Sequence, residues 1–251
     1  MNILVVNDDG IQAAGFEALV KALSEAADVY VCAPDSQRSA KSHSITLGQD
    51  VTIEKTDFPR AKAAYKISGT PADCTKIGLQ FFAEMGAPID MVYSGINMGS
   101  NLGRDTLYSG TIGAAAEAAL SGVHAVAVSV DDHEAVHFDV AGELAVAAID
   151  LVYGRLEPSV VLSINVPNLP REEIRGIKFV PLGDKRFYDD KFHLVEGNRY
   201  TLSGQPGGFH AADDENDLAA VEANYAVITP LQMDLTDYKT LEIIKKWSIH
   251  I

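Results

Sequence analysis

By Cys32 the chain has already spelled out a strand, a helix and a second strand, and that alternation constrains the fold more than any other feature. Ile3-Leu4-Val5-Val6 is an apolar, mostly β-branched run short enough for one fully buried strand. Phe16, Leu19, Val20 and Leu23 recur at helical spacing within residues 11–25, and Val29-Tyr30-Val31-Cys32 is the next strand. A β-α-β unit of this length predicts parallel strands joined by right-handed crossovers. Aromatic residues are few while Ala and Val are many, which suits helices packed closely on such a sheet.

The same alternation continues. Residues 45–68, with Ile45, Leu47, Val51, Ile53, Tyr65 and Ile67, read as strands of a hairpin returning to the sheet. Thr70-Pro71 opens a helix carrying Ile77, Leu79, Phe81 and Phe82. Strands are expected over 89–94, 125–130, 160–164 and 226–231, with helices over 112–120, 139–152 and 238–248. Residues 170–217 are polar and turn-rich, with Arg186, Tyr188, Asp189, Asp190 and Lys191 and then Ser203-Gly204-Gln205-Pro206-Gly207-Gly208; they read as extended hairpins leaving the main sheet, for an oligomer contact or a lid. The expected fold is α/β, a Rossmann-like three-layer sandwich with a mostly parallel sheet and a C-terminal β-hairpin extension. It divides into a core over 1–168 and a region over 169–251 that contains the hairpin and a closing strand and helix.

Ligands of open α/β sheets bind outside the carboxyl ends of the strands. Asp8 and Asp9 stand there after the first strand, in the turn Asn7-Asp8-Asp9-Gly10. A paired Asp suits a hard cation, although Asn, Asp and Gly are also what a tight turn requires. The long loop 33–44 brings Ser39 to the same rim, and the Gly-rich stretch after Ser94 brings Asn97. Ser109-Gly110-Thr111 begins a helix of small residues, where free N–H groups can hold a phosphate and Gly lets the backbone approach; Ser and Thr are equally ordinary helix caps. The side-chain ligand atoms are all oxygens, so Mg²⁺ or Mn²⁺ fits and zinc is less expected without His or Cys. A cation there would polarise a phosphorus–oxygen bond and lower the pKa of a bound water, making phosphate ester hydrolysis the simplest reaction.

His43 is the only histidine in a candidate site loop and could donate a proton, though a hydrogen-bonding role in the loop is the plainer expectation. Arg38, Lys41 and Arg104 could meet a phosphate or remain solvated, and Cys74 reads as a small core residue. The formal charge of −15 disfavours duplex nucleic acid and anionic membranes as partners. Two cysteines give no disulfide framework, the N-terminal apolar run is cut at once by Asp8, and no apolar run is long enough to span a bilayer, so a cytoplasmic setting is expected. A Gly-x-Gly-x-x-Gly turn and a Walker A pattern are both absent, which removes the main support for dinucleotide or P-loop chemistry. Two further acidic-site classes fit poorly: a receiver domain would want a phosphate-accepting Asp after its third strand, and a haloacid-dehalogenase-type phosphatase would want Asp-x-Asp after strand one.

Together these segments resemble the SurE-type survival proteins, which are metal-dependent 5′/3′-nucleotidases. The resemblance runs through Asn7-Asp8-Asp9-Gly10, Ala33-Pro34-Asp35 with Arg38-Ser39, Gly69-Thr70-Pro71-Ala72-Asp73-Cys74, and Ser94-Gly95-Ile96-Asn97 with Gly99. It continues in Asn101-Leu102-Gly103, Tyr108-Ser109-Gly110-Thr111, Ile164-Asn165-Val166-Pro167, Thr229-Pro230-Leu231 and Asp234-Leu235-Thr236. It implies one divalent Mg²⁺ or Mn²⁺ per subunit, held by Asp8, Asp9, Ser39 and Asn97. It implies hydrolysis of nucleoside monophosphates, with short polyphosphate as an additional substrate, and assembly as a homodimer or homotetramer. Arg104 and the segment 184–217 lie where such proteins vary. The competing class is a metal- or nucleotide-binding module without turnover.

Overall fold

The computed structural model describes residues 1–184, 191–204 and 215–247. Arg186, Tyr188, Asp189 and Asp190, the turn residues Gln205–Gly208 and the last residue of the expected closing helix lie outside this set. The first unit is β1 (Asn2–Val6), α1 (Ala14–Leu23) and β2 (Asp28–Pro34), and β1 and β2 pair in parallel as the sequence pattern requires. An antiparallel pair follows, β3 (Ile53–Thr56) and β4 (Ala63–Ile67), with β4 parallel to β2. The expected hairpin is therefore present but shorter. Ile45, Leu47 and Val51 precede β3 in irregular chain, where no sheet neighbour is offered and Leu47 is left exposed.

The helices α2 (Pro71–Glu84), α3 (Gly110–Leu120) and α4 (Asp139–Val152) alternate with β5 (Met91–Met98), β6 (His124–Asp131) and β7 (Val160–Pro167). Thr70 caps α2 through a reciprocal box: its hydroxyl accepts from the Asp73 N–H while the Asp73 carboxylate accepts from the Thr70 N–H. Strand β5 runs past its expected end at Ser94, with a register shift between Ser94 and Asn97. Gly95 makes this possible: its φ is +136°, and a Cβ there would lie 2.2 Å from the Val128 carbonyl oxygen. Asn97 thus belongs to a strand rather than to the following loop.

The C-terminal part is β8 (Ile177–Phe179), β9 (Lys191–Glu196), β10 (Arg199–Ser203), α5 (Asp217–Glu222), β11 (Ala226–Gln232) and α6 (Tyr238–Ile244). The main sheet has the order β3-β4-β2-β1-β5-β6-β7-β11-β8, with β11 antiparallel to β7, and β9–β10 form a separate antiparallel pair. Strand β8 and helix α5 carried too few periodic residues to be anticipated.

Successive residues of β1 explain the three layers. Ile3 and Val5 enter the core shared with α1 and α4, whereas Leu4 and Val6 enter the opposite core with α2 and α3. All four are fully buried, a contribution of about 1.5–3 kcal/mol for each such aliphatic side chain. The strand order reverses direction about β1 and β5, which places a crevice at their carboxyl ends.

Candidate active site

Asp8 and Asp9 occupy that crevice because the chain turns immediately after β1. Gly10, at φ +96°, permits the turn, and the buried Asn7 amide closes it by donating to the Gly10 carbonyl at 2.8 Å. These two residues thus shape the turn that presents the carboxylates. Asp8 is almost wholly buried. The Thr111 hydroxyl, in the first turn of α3, donates to its Oδ1 at 2.6 Å. Asp9 lies beside it, its carboxylate accepting from the Met98 N–H at 3.0 Å and the Gln37 side chain at 3.4 Å.

The loop after β2 is drawn to the same rim by the Arg38 N–H, which donates to the Asp8 carbonyl at 2.7 Å. It then lies against α3, where Gly113 is required: a Cβ at that position would stand 2.3 Å from the Ser42 carbonyl oxygen. Gly110 is equally constrained, since its Cβ would fall 2.9 Å from Asp8 Oδ2. Ser109 caps α3 by accepting from the Ile112 N–H. By position, the Gly110 and Thr111 N–H groups have no partner within the helix.

Asp8, Ser39, Asn97 and Ser109 line one cleft of about 580 Å³. Thr111 is fully buried behind Asp8. The Asn97 amide nitrogen donates to the Gly99 carbonyl at 2.6 Å, which leaves the amide oxygen for a ligand. The sequence-expected residues therefore converge, some as lining and some as support.

The electrostatics of this group fit a divalent cation. Burial pushes the Asp8 carboxyl up to about 7; the Thr111 hydroxyl lowers it and the charge of Asp9 adds to the rise. Burial also raises Asp9, against the opposing donors from Met98 and Gln37 and the nearby His133. Two adjacent carboxylates this far desolvated favour a bound positive charge. Among the described residues no three His, Cys, Asp or Glu side chains form a metal-holding cluster. A site of two carboxylates with Ser39 and Asn97 is instead a mixed oxygen set, of the kind hard cations take.

The basic residues and His43 are placed elsewhere. Arg38 pairs with Asp35 and donates to the Ser68 carbonyl, and Lys41 and Arg104 are exposed and do not line the cleft. His43 is held by Glu117 at 2.9 Å and does not line the cleft, and Lys76 meets the other oxygen of the same carboxylate at 2.6 Å. His43 thus has the hydrogen-bonding role that was its plainer expectation, and a histidine outside the expected site loops, His133, follows β6, lines the cleft and packs over Gly99. Its signal in the sequence was its place at the carboxyl end of β6, directly after Asp131 and Asp132. Cys74 is a buried free thiol, as expected of a core residue.

Residues 3–189 match the family model described as Survival protein SurE. The chain is 42% identical over 250 residues to the 5′-nucleotidase SurE of Pelotomaculum thermopropionicum, covering 98% of this chain and 95% of that protein. It is 38% identical over 250 residues to the 5′/3′-nucleotidase SurE of Proteus mirabilis, covering 98% and 96%. A crystal structure of the SurE protein from Aquifex aeolicus superposes with a TM-score of 0.84 at 35% identity, covering 98% of both chains. The family match, the sequence likeness and the shared fold show that this chain belongs to the SurE survival-protein family.

Proposed function

We propose that this protein is a divalent-cation-dependent phosphomonoesterase that releases phosphate from nucleoside 5′- and 3′-monophosphates. The observation that carries the proposal is the juxtaposition of Asp8 with the N-terminus of α3: Asp8 and Ser109 line one cleft, and the Thr111 hydroxyl donates to the Asp8 carboxylate. The names of the relatives, 5′-nucleotidase and 5′/3′-nucleotidase, support the same substrate class.

In this reading Asp8, Asp9, Ser39 and Asn97 hold one Mg²⁺ or Mn²⁺, with Asp8, Asp9 and Asn97 essential to turnover. When bound, the ion supplies Lewis-acid polarisation of the phosphate and an activated water. Ser109, Gly110 and Thr111 supply the first turn of α3, whose free N–H groups and positive end hold the phosphate oxygens. Thr111 also fixes the rotamer of Asp8. His133, beside the cleft, is in position to hydrogen-bond a leaving group or a water. We further infer a cytoplasmic homodimer or homotetramer, with short polyphosphate as an additional substrate. Among the described residues no helix is long and apolar enough to cross a membrane.

The test is phosphate release from 5′-AMP, 3′-AMP and a non-nucleotide phosphoester, with Mn²⁺ or with EDTA. Metal-dependent release from the nucleotides is expected. Tight nucleotide binding with no turnover would identify a binding module instead.

A further inference from the structure

The β9–β10 hairpin carries an apolar face that the described residues leave exposed. Leu202 lies opposite Phe192, and Tyr200 lies opposite Leu194. Cross-strand partners and residues two apart share one face, so these four side chains stand together. Phe192 is 71% exposed and Leu202 is 51% exposed. The hairpin pairs with no other strand among the described residues, and an isolated two-stranded pair gains little from exposing such a face to water.

The location of the hairpin's root indicates what the Phe192 end meets. Phe192 and Leu202 line the same cleft as Asp8, Asn97 and Ser109, whereas Leu194 and Tyr200 do not. The cleft lining therefore combines two chemically different groups of residues, with Lys191 beside Phe192. One is the set of carboxylate, amide and hydroxyl oxygens near the α3 N-terminus. The other is the Phe192 ring with Leu202 across the strand from it. A nucleoside monophosphate combines matching groups, a dianionic phosphate at one end and a flat π-surface at the other.

We propose that Phe192, flanked by Leu202, is the stacking platform for the nucleobase and the residue that makes the cleft prefer nucleotides over smaller phosphomonoesters. This rests on the nucleotidase reading of the cleft. Aromatic stacking accepts any base, because every base has a π-face. Phe192 is thus a binding residue that discriminates between nucleotides and other phosphate esters more than among bases. No hydrogen-bonding partner for a base edge is required.

The two halves of the substrate separate the roles. The full-length protein with Mn²⁺ is assayed on 5′-AMP, with adenosine and inorganic phosphate as competing inhibitors, for the wild type, Phe192→Ala and Phe192→Trp. In Phe192→Ala the KM for 5′-AMP and the inhibition constant of adenosine are expected to rise about 10-fold. The inhibition constant of inorganic phosphate should stay within about two-fold of the wild type on the same grounds, since the phosphate end is untouched. Phe192→Trp should restore the adenosine constant. An unchanged adenosine constant in Phe192→Ala, or an equal rise for adenosine and phosphate, overturns the platform while leaving the nucleotidase reading in place. A wild type that hydrolyses no 5′-AMP overturns both.

Discussion

Thr111 donates its hydroxyl to Asp8 across 2.6 Å, and this bond ties the end of β1 to the first turn of α3. It joins the two halves of the site: the carboxylate that would meet the cation and the helix terminus that would meet the phosphate. Thr111→Val keeps the shape but removes the donor. Removal of such a supporting contact typically costs about 10–100-fold in metal affinity or activity. We expect Mn²⁺ affinity to fall within that range with the circular dichroism spectrum unchanged. Wild-type affinity in this variant would show that the bond does not orient Asp8.

Gly110 tests the same contact from the helix side. A methyl group there would stand 2.9 Å from both Asp8 Cβ and Oδ2, closer than unstrained atoms approach. Asp8 must then move, so Gly110→Ala should lose at least about 10-fold in kcat/KM, because small misplacements at a reacting centre carry large costs. Steady-state kinetics on 5′-AMP are the check, and a rate within two-fold of wild type would mean that the site tolerates the displacement.

Asp9→Asn should weaken metal binding while preserving the fold. The substituted amide keeps an oxygen to accept from the Met98 N–H but loses the charge. Activity at limiting Mn²⁺ should fall, and high Mn²⁺ should recover part of it. Equal rates for the two proteins at limiting metal would remove Asp9 from the ligand set.

Asp73 gives a prediction on acid stability away from the cation. Burial alone would raise its carboxyl, but the donors from Thr46 and Thr70 together outweigh burial and hold it below the usual carboxylate value of 3.8. A depressed folded-state pKa means that the ionised group stabilises the fold. Its contribution is complete above the unfolded value near 3.8 and is lost as pH falls through the lower folded value. Asp73→Ala also removes half of a capping box, so it should cost about 1–2 kcal/mol at neutral pH. The stability gap between wild type and variant, from urea denaturation, should narrow as pH falls below about 4. A gap independent of pH would mean that the charge contributes nothing.

Much of this site was legible because its residues sit at strand ends. Asp8 and Asp9 follow an unmistakable strand, and the Thr70-Pro71 and Ser109-Gly110 helix starts carry local capping chemistry. In the sequence Asn97 reads as a loop residue because Gly95 and Gly99 look like breakers. In the fold Gly95 instead lets β5 pass close to the Val128 carbonyl and continue. His133 and Phe192 were harder still, since what brings them to the cleft is the position of β6 in the sheet and the root of a separate hairpin. For His133 the one sequence signal is its place just after an expected strand; for Phe192 there is none. The tie between Asp217 and the N–H groups of Gly103 and Gly183, at 2.8 and 2.6 Å, is of the same kind: it spans distant segments and leaves no periodicity to read.

The central claim is that the Asp8–Asp9 rim binds one divalent ion. Its most direct test is Mn²⁺ binding to the metal-free protein, followed by calorimetry or electron paramagnetic resonance, for the wild type and for Asp8→Asn. The account predicts one ion per wild-type chain and a loss of at least about 100-fold in affinity for the variant. Equal Mn²⁺ binding by the two proteins, or none by the wild type, would contradict it.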